Sequence, residues 1–118
     1  MRYLRVRNVT RNVDLGQKVR VASTLMARLV GLLSTSSLGS GEGLWLEPCS
    51  SIHTFFMRYP IDVLFMDADG KVLAQRTYAP WKISGWHGKS RGALEFAAGT
   101  LARTATQIGD QIEMKGTN

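Results

Sequence analysis

Near the N-terminus, hydrophobic and polar residues alternate along two short stretches, residues 3–9 and 18–22. A period of two is typical of half-exposed β-strands, because successive side chains of a strand point to opposite faces of the sheet. The residues Asp14-Leu15-Gly16, which lie between the two stretches, have side chains that favour turns. The pattern therefore predicts a β-hairpin with its turn at residues 14–16.

Leucines follow at three- and four-residue spacing between positions 25 and 33, which indicates one apolar side of a short helix. Ser23 or Thr24 can cap its N-terminus, and Gly31 is its weakest helical position. Residues 34–43 are rich in serine and glycine and are predicted to form a loop.

Most of the remaining chain has the composition of strands. Six stretches are predicted as strands from their β-branched and aromatic residues or their alternation: 44–46, 52–57, 61–67, 71–78, 93–96 and 111–115. Between the third and fourth, Asp67–Gly70 predicts a hairpin turn in which Gly70 takes a positive φ. The sequence predicts a mainly β protein.

The connections between these strands carry their own signals. Pro60 removes a backbone donor, so the Tyr59-Pro60 step predicts a bend before the strand at 61–67. Residues 79–92 form a long loop with two tryptophans. Residues 99–110 predict one or two helical turns that end at Gly109. One or two short helices are thus expected beside the sheet.

The 118 residues are 44% hydrophobic, which suits a single domain, residues 1–118. Cys49 is the one cysteine, so no internal disulfide can form. The N-terminal residues lack the apolar run of a signal peptide, which favours a cytoplasmic location. No stretch approaches the roughly 20 apolar residues that span a bilayer, so membrane insertion is not expected. No cofactor-binding loop is present, and no cofactor is expected.

The formal net charge of +6 is concentrated near the N-terminus, where residues 1–28 hold seven basic side chains against Asp14 alone. Such a surface attracts phosphates, acidic partners or anionic lipids. It is also typical of a solvated strand face, and only Tyr3 offers a stacking ring among the arginines. A nucleic-acid interaction would use the basic residues Arg2, Arg5, Arg7, Arg11, Lys18 and Arg20.

Three groups that resist burial, His53, Arg58 and Asp62, lie in the apolar stretch "SIHTFFMRYPIDVLFMDADGKVL". An unpaired carboxylate beside a core costs several kcal/mol, so Asp62 requires a cation or hydrogen-bond donors. We predict that the bend at Tyr59-Pro60 brings Arg58 to Asp62. The pair would either fix the strand register or belong to a ligand site.

Cys49 and His53, four residues apart, allow two chemical interpretations. They could be a thiol nucleophile with its base, with Asp62 as a further catalytic group, or two metal ligands with His87 as a third. The spacing matches no recognised zinc motif, and we expect no metal. The simplest interpretation is a small buried cysteine and a hydrogen-bonded histidine.

Two further features remain open. Trp81 and Trp86, in a loop with several cations, predict either a contact surface for a sugar or protein or a cover for the core. Glu95, between Leu94 and Phe96, is expected to pair with Arg91, Arg103 or an N-terminal arginine.

The runs "RLVGLL", "GLWLEPCSSIHTFFMRYPIDVLFMDADGKVL", "ALEFAAGT" and "IGDQI" resemble the prokaryotic family catalogued as domain of unknown function 192. The resemblance covers roughly residues 19–115 and leaves residues 1–18 as a basic strand and turn. It implies a single compact β-barrel or sandwich of jelly-roll character with a short helix packed on it. The family has no established activity, and many of its members carry an export signal. Its recurrent positions fall on Arg28, Gly31, Cys49, His53, Thr54, Met57, Pro60, Asp62, Asp67, Gly70, Glu95, Gly99, Gly109 and Asp110.

Taken together, these patterns favour a non-catalytic binding or accessory domain with a polar pocket for a small ligand or a peptide. The candidate ligand-binding residues are His53, Met57, Arg58, Asp62, Trp81 and Trp86. The candidate structural residues are Arg28, Gly31, Pro60, Gly70, Glu95, Gly109 and Asp110. The alternatives are a small hydrolase or thiol enzyme using Cys49, His53 and Asp62, and nucleic-acid binding through the N-terminal hairpin.

Overall fold

The computed structural model of the chain describes residues 3–22 and 38–117. Its regular elements are β1 (Tyr3–Asn8), β2 (Val13–Ala22), β3 (Glu42–Leu46), β4 (Ile61–Met66), β5 (Val72–Tyr78), β6 (Gly92–Ala97), α1 (Thr100–Thr104) and β7 (Ile112–Thr117). The predicted mainly β fold is confirmed. The predicted helix at 25–33, with Arg28 and Gly31, lies outside the described residues.

The seven strands form one sheet in the order β5-β4-β6-β3-β2-β1-β7. β2 and β3 run parallel, and the other neighbouring pairs run antiparallel. The sheet does not close, but it curls until the two edge strands approach each other at one end, where Lys71 forms a bridge with Gln111. The predicted barrel or sandwich therefore takes the form of a single, strongly curved open sheet.

Both faces of the sheet are buried at β4, which explains why every residue of this strand except Asp62 is apolar. The inner cluster contains side chains from both edge strands and from α1, among them Val72, Ile112 and Leu101. The outer cluster includes Ile61, Val63 and Phe65 of β4. Among the described residues, no helix is both long and apolar enough to cross a membrane.

The predicted N-terminal hairpin is present, but its turn is not at residues 14–16. β1 and β2 pair from Tyr3↔Arg20 to Asn8↔Val13, so the chain reverses at residues 9–12. Asn12 takes the left-handed conformation there (φ 54°), which asparagine tolerates better than most residues. Gly16 instead lies within β2, where a β-carbon would come 2.8 Å from the carbonyl oxygen of Gly41. Close backbone approach, not a turn, accounts for that glycine.

The hairpin between β4 and β5 is confirmed, with Ile61 opposite Tyr78 at its open end. Gly70 takes a φ of 84° in the turn, as predicted. The helix prediction was less accurate. α1 ends at Thr104, followed by Ala105 in the left-handed conformation, whereas Gly109 (φ 93°) belongs to the next turn.

The predicted strand at 52–57 was wrong. In this segment only His53 forms a bridge, to Ile83, and the remaining residues form turns and irregular structure. The Met57 amide donates to the Thr54 carbonyl at 3.2 Å, and Phe56 has a positive φ of 67°. A local turn therefore interrupts a run of residues whose composition favours a strand.

Candidate functional site

Two irregular segments, residues 49–57 and 79–91, run beside each other and form what we call the two-loop ribbon. Backbone hydrogen bonds join them along their length: Thr54 N to Lys82 O (2.8 Å), Trp81 N to Thr54 O (2.9 Å), Ser84 N to Ile52 O (2.9 Å) and His87 N to Ser50 O (2.8 Å). The Thr54 hydroxyl also donates to the Ala79 carbonyl at 2.6 Å. These bonds fix the shape of both loops.

The ribbon presents a group of neighbouring rings and an isoleucine that we call the aromatic tip: His53, Phe55, Phe56, Trp81 and Ile83. His53 stacks on Phe55 with ring centroids 4.8 Å apart, and Trp81 lies 6.1 Å from Phe55 and 4.6 Å from Phe56. Ile83 faces His53 across the bridge between the loops. The tip is thus one continuous aromatic and aliphatic surface.

Large parts of this surface face solvent, since Phe56, Trp81 and Ile83 are 69%, 58% and 67% exposed. Phe56 and Trp81 also hold left-handed backbones, with φ of 67° and 65°. Non-glycine residues in this region typically cost about 1–3 kcal/mol each and persist where the surrounding structure holds them. Exposed apolar groups held on strained backbone mark the tip as a functional candidate.

The surroundings of the tip are basic. Arg58 and Lys82 are exposed, and neither forms an ion pair with a described residue. No aspartate or glutamate occurs between Glu47 and Asp62 or between Asp69 and Glu95. In sequence the tip residues are therefore flanked by cations, and these cations pair with no carboxylate of the described residues.

Asp62 does not belong to this surface. It is 1% exposed and lies on the inner face of β4, on the side of Leu64. Its carboxylate accepts hydrogen bonds from the Thr77 hydroxyl (2.6 Å) and from the amides of Gly99 (3.1 Å) and Leu101 (2.9 Å) at the start of α1. The prediction that Asp62 pairs with Arg58 was wrong, because these three donors satisfy the carboxylate instead.

The candidate ligand-binding residues consequently do not form one cluster: four are exposed, one is buried in the outer cluster and one is buried on the inner face of the sheet. His53 and Trp81 lie in the tip, Arg58 lies exposed beside Met57, and Trp86 is 78% exposed on the same ribbon. Met57 is buried in the outer cluster, and Asp62 is buried on the other face of the sheet. The predicted polar pocket around residues 53–62 is not assembled in this structure.

Cys49 is buried, and its thiol donates to the Ser51 carbonyl at 3.2 Å. His53 is exposed, and its Nδ1 accepts the Phe55 amide at 3.2 Å. His87 packs its ring against Phe65 with centroids 4.3 Å apart. Within residues 3–22 and 38–117, no group of three or more potential ligands is placed to hold a metal ion.

Glu95 lies in the middle of the sheet, between Leu44 of β3 and Val63 of β4. It is 6% exposed and forms no hydrogen bond or ion pair with a described residue. Among the described residues, Glu95 pairs with no arginine, and Arg91 pairs instead with Glu47 at 2.6 Å. The N-terminal arginines Arg2 and Arg28 lie outside the described residues. Burial raises the pKa of Glu95 to about 7.

The N-terminal arginines are partly neutralised. Arg5 and Arg7 contact Asp14 at 3.3 and 3.0 Å, and Arg11 contacts the buried Asp110 at 3.0 Å. Burial acts to raise the pKa of Asp110, but hydrogen bonds from Arg11, Asn8 and the Gln107 amide outweigh it and lower the pKa. A surface groove beside this hairpin is lined by residues that include Lys18 and Arg103, none of which belongs to the two-loop ribbon.

Phe55, Phe56, Lys82 and Ile83 were missed as site residues, because their composition predicted strand and loop. Two signals in the sequence could have found them. The acid-free stretches 48–61 and 70–94, which contain the two segments of the ribbon, predict a basic surface. Several large apolar residues in a loop with proline and glycine also indicate a candidate contact surface.

Two solved structures share the fold. One, from Sinorhizobium meliloti, is described as a putative transcription regulator; it has a TM-score of 0.79 and 22% identity, with 96% of this chain and 92% of that chain covered. The other, a protein of unknown function from Novosphingobium aromaticivorans, also has a TM-score of 0.79 and 22% identity, with 93% and 82% covered. At this identity the likeness concerns the fold alone.

Curated relatives named UPF0127 occur in archaea. A protein from Pyrococcus horikoshii is 29% identical over 109 residues, covering 90% of this chain and 95% of the relative. A protein from Thermococcus sibiricus is 29% identical over 101 residues, covering 81% of this chain, which spans only 65% of that relative's length.

A family model, DUF192, described as an uncharacterised ACR, matches residues 6–114. The match begins within β1, so the N-terminal hairpin belongs to the family's fold and is not an appended basic segment. The chain therefore belongs to the uncharacterised DUF192 family.

Proposed function

We propose that this chain is a non-catalytic binding or accessory domain that attaches to an anionic partner through its aromatic tip. The observation that carries the proposal is the contact between Phe56 and Trp81, both exposed and both on left-handed backbones. Arg58 and Lys82, which are close to these two residues in sequence, are exposed and form no ion pair with a described residue. Apolar rings supply binding energy on desolvation, and the cations select the sign of the partner's charge.

The form of the tip favours an extended partner over an enclosed small molecule. Small-ligand sites are concave and bury most of the ligand. The side chains of Phe56, Trp81 and Ile83 instead project into solvent. We retain the proposed binding roles of His53, Arg58, Trp81 and Trp86. Met57 and Asp62 are buried and support the fold.

The buried state of Cys49 supports a role without catalysis. A reactive thiol requires partial exposure and a nearby positive charge or base. The Cys49 thiol is buried and donates to a carbonyl oxygen, while His53 is exposed in the tip. The thiol-enzyme alternative therefore has little structural support.

Nucleic-acid binding through the N-terminal hairpin is the remaining alternative, and the description of the Sinorhizobium meliloti structure as a putative transcription regulator agrees with it. The ion pairs of Arg5, Arg7 and Arg11 count against it, because a cation that is already compensated contributes less to phosphate binding.

The proposal is tested by titrating the protein with three anionic probes, polyglutamate, heparin and phosphatidylglycerol vesicles, and following tryptophan fluorescence. We expect at least one probe to bind and the double variant Phe56→Asn/Ile83→Ser to lose that binding. The matched control is Val9→Ser/Ile108→Ser, which changes two exposed apolar residues outside the ribbon. Equal binding by both double variants, or no binding to any probe, would overturn the proposal.

A further inference from the structure

We infer that the anionic partner of the aromatic tip is a lipid bilayer surface, which the protein binds peripherally. The inference rests on the proposed function and names the partner of that same site. Its basis is the combination, on one rigid ribbon, of projecting apolar side chains with cations that can reach lipid phosphates.

The first argument is the shape of the tip. Phe56, Trp81 and Ile83 are each more than half exposed and come from two different loops. The loops are held together by the Trp81 N to Thr54 O bond and the His53–Ile83 bridge, so the side chains project from a fixed base. A projecting apolar wedge can enter the interfacial region of a bilayer without any preformed cavity in the partner.

The second argument is the type of side chain. Tryptophan is enriched at membrane interfaces because its ring is largely apolar while its N–H can hydrogen-bond with water or headgroups. Trp81 lies in the tip, and Trp86 is exposed further along the same ribbon. A third tryptophan, Trp45, is buried in the inner cluster and does not take part.

The third argument is the position of the charges. Lys82 lies between Trp81 and Ile83 in the sequence, and Arg58 follows the turn that contains Phe56. Long aliphatic stems allow lysine and arginine to keep their charged groups at the phosphate level while neighbouring side chains enter the apolar region. Because the ribbon contains no carboxylate, nothing on it repels anionic headgroups.

An acidic polypeptide fits this surface less well. Stable protein–protein interfaces bury roughly 1,200–2,000 Å² and need a complementary surface around a central anchor. Four of the five tip residues, all but Phe55, are exposed, and none of the five lines the groove beside the N-terminal hairpin. A fluid bilayer adapts to such a shape, whereas a folded partner needs a matching cavity.

The test is flotation of the protein with vesicles of phosphatidylcholine alone or with a third phosphatidylglycerol. We expect binding to the mixed vesicles, a tryptophan fluorescence blue shift, and at least a tenfold weaker affinity for Ile83→Ser. The control for Ile83→Ser is Ile108→Ser, which should bind as wild type. Ile108 has the same 67% exposure as Ile83, but it precedes Gly109, whose amide donates to the Val72 carbonyl at the turn end of the β4–β5 hairpin. Lys82→Glu should also bind at least tenfold more weakly, and Lys71→Glu, in the far hairpin turn, should not.

The outcomes separate the inference from the proposed function. Tip-dependent binding to polyglutamate or heparin without vesicle binding would overturn the lipid inference and leave the binding function intact. Vesicle binding that Ile83→Ser does not weaken would mean attraction by charge alone and would overturn the inference. Absence of binding to every probe would overturn both. Thermal melts of each variant establish that it is folded, and the exposed positions chosen make a folding defect unexpected.

Discussion

The rings of Phe56 and Trp81 pack with their centroids 4.6 Å apart although each residue holds a left-handed backbone. The protein therefore maintains a strained conformation in order to keep two aromatic side chains exposed on neighbouring loops. Strain of this kind is typical of sites at which function and stability oppose each other.

If strain is stored at Phe56, replacing this residue should not harm the fold. Asparagine tolerates the left-handed region, so we expect Phe56→Asn to leave the free energy of unfolding unchanged or to raise it by about 1 kcal/mol. Urea denaturation followed by circular dichroism measures this change. Phe55→Asn is the control, and it should destabilise the protein because Phe55 is half-buried and has no positive φ to relieve. A loss above about 1 kcal/mol for Phe56→Asn would contradict the strain.

Replacing Asp62 or Arg58 by alanine should change the free energy of unfolding by very different amounts, although the two residues lie close in sequence. Asp62→Ala leaves the buried Leu101 amide, the part-buried Gly99 amide and the Thr77 hydroxyl without their acceptor, and we expect a loss of about 3 kcal/mol. Arg58→Ala removes an exposed side chain and should change stability by less than about 0.5 kcal/mol. Chemical denaturation of both variants measures the contrast, and equal losses would restore the hypothesis of an Arg58–Asp62 pair.

Glu95 predicts a fall in stability as the pH rises. Its folded pKa of about 7 exceeds the ordinary value of 4.5, so the folded state holds a proton that the unfolded state releases between these two values. The free energy of unfolding should fall by about 3 kcal/mol as the pH rises through this interval.

The matched variant is Glu95→Gln, which has a similar volume and no ionisable group. We expect this variant to lack that pH dependence and to be more stable than wild type above pH 7. Unfolding free energies measured from pH 4.5 to 8 test the assignment, and parallel curves for the two proteins would contradict it.

Asp110 predicts a pH dependence of stability opposite in sign to that of Glu95: its contribution to the free energy of unfolding grows as the pH rises. Its lowered pKa means that the ionised form stabilises the fold above the ordinary pKa of 3.8, and that this contribution is lost as the pH falls through the folded value. We expect Asp110→Asn to destabilise the protein by roughly 1–3 kcal/mol at pH 7 and by progressively less below pH 4. Asp69→Asn, at an exposed turn position, is the control and should change little. A difference between Asp110→Asn and wild type that does not vary with pH would argue against the ionised network.

The strands with strong local signals were predictable. The β4–β5 hairpin was placed correctly because an Asp-Ala-Asp-Gly turn separates two strongly apolar stretches, and no distant contact overrides that local preference. The turn of the first hairpin was misplaced because glycine is common both in turns and where two backbones approach closely. Gly16 belongs to the second case, since it lies against the backbone of Gly41.

The candidate site was only partly predictable. His53, Arg58 and Trp81 were singled out by residue type, but which of them lie together depends on hydrogen bonds between residues about 30 positions apart, such as Ser84 N to Ile52 O. The burial of Asp62 followed from the apolar stretch around it. Its partners did not, because the donors at Gly99 and Leu101 are backbone groups that every residue except proline carries.

The amino-acid sequence by itself determined the mainly β class, the family and most strand positions, since periodicity, composition and turn residues act over a few neighbouring positions. Only the tertiary structure decided three relations. Asp62 caps α1 from within the core, Glu95 lies between two strands with no partner in the described part of the chain, and Phe56 and Trp81 meet at the surface. Each of these relations involves segments that are distant in sequence. The local sequence allows many such contacts, and only the packing of the whole fold determines which of them form.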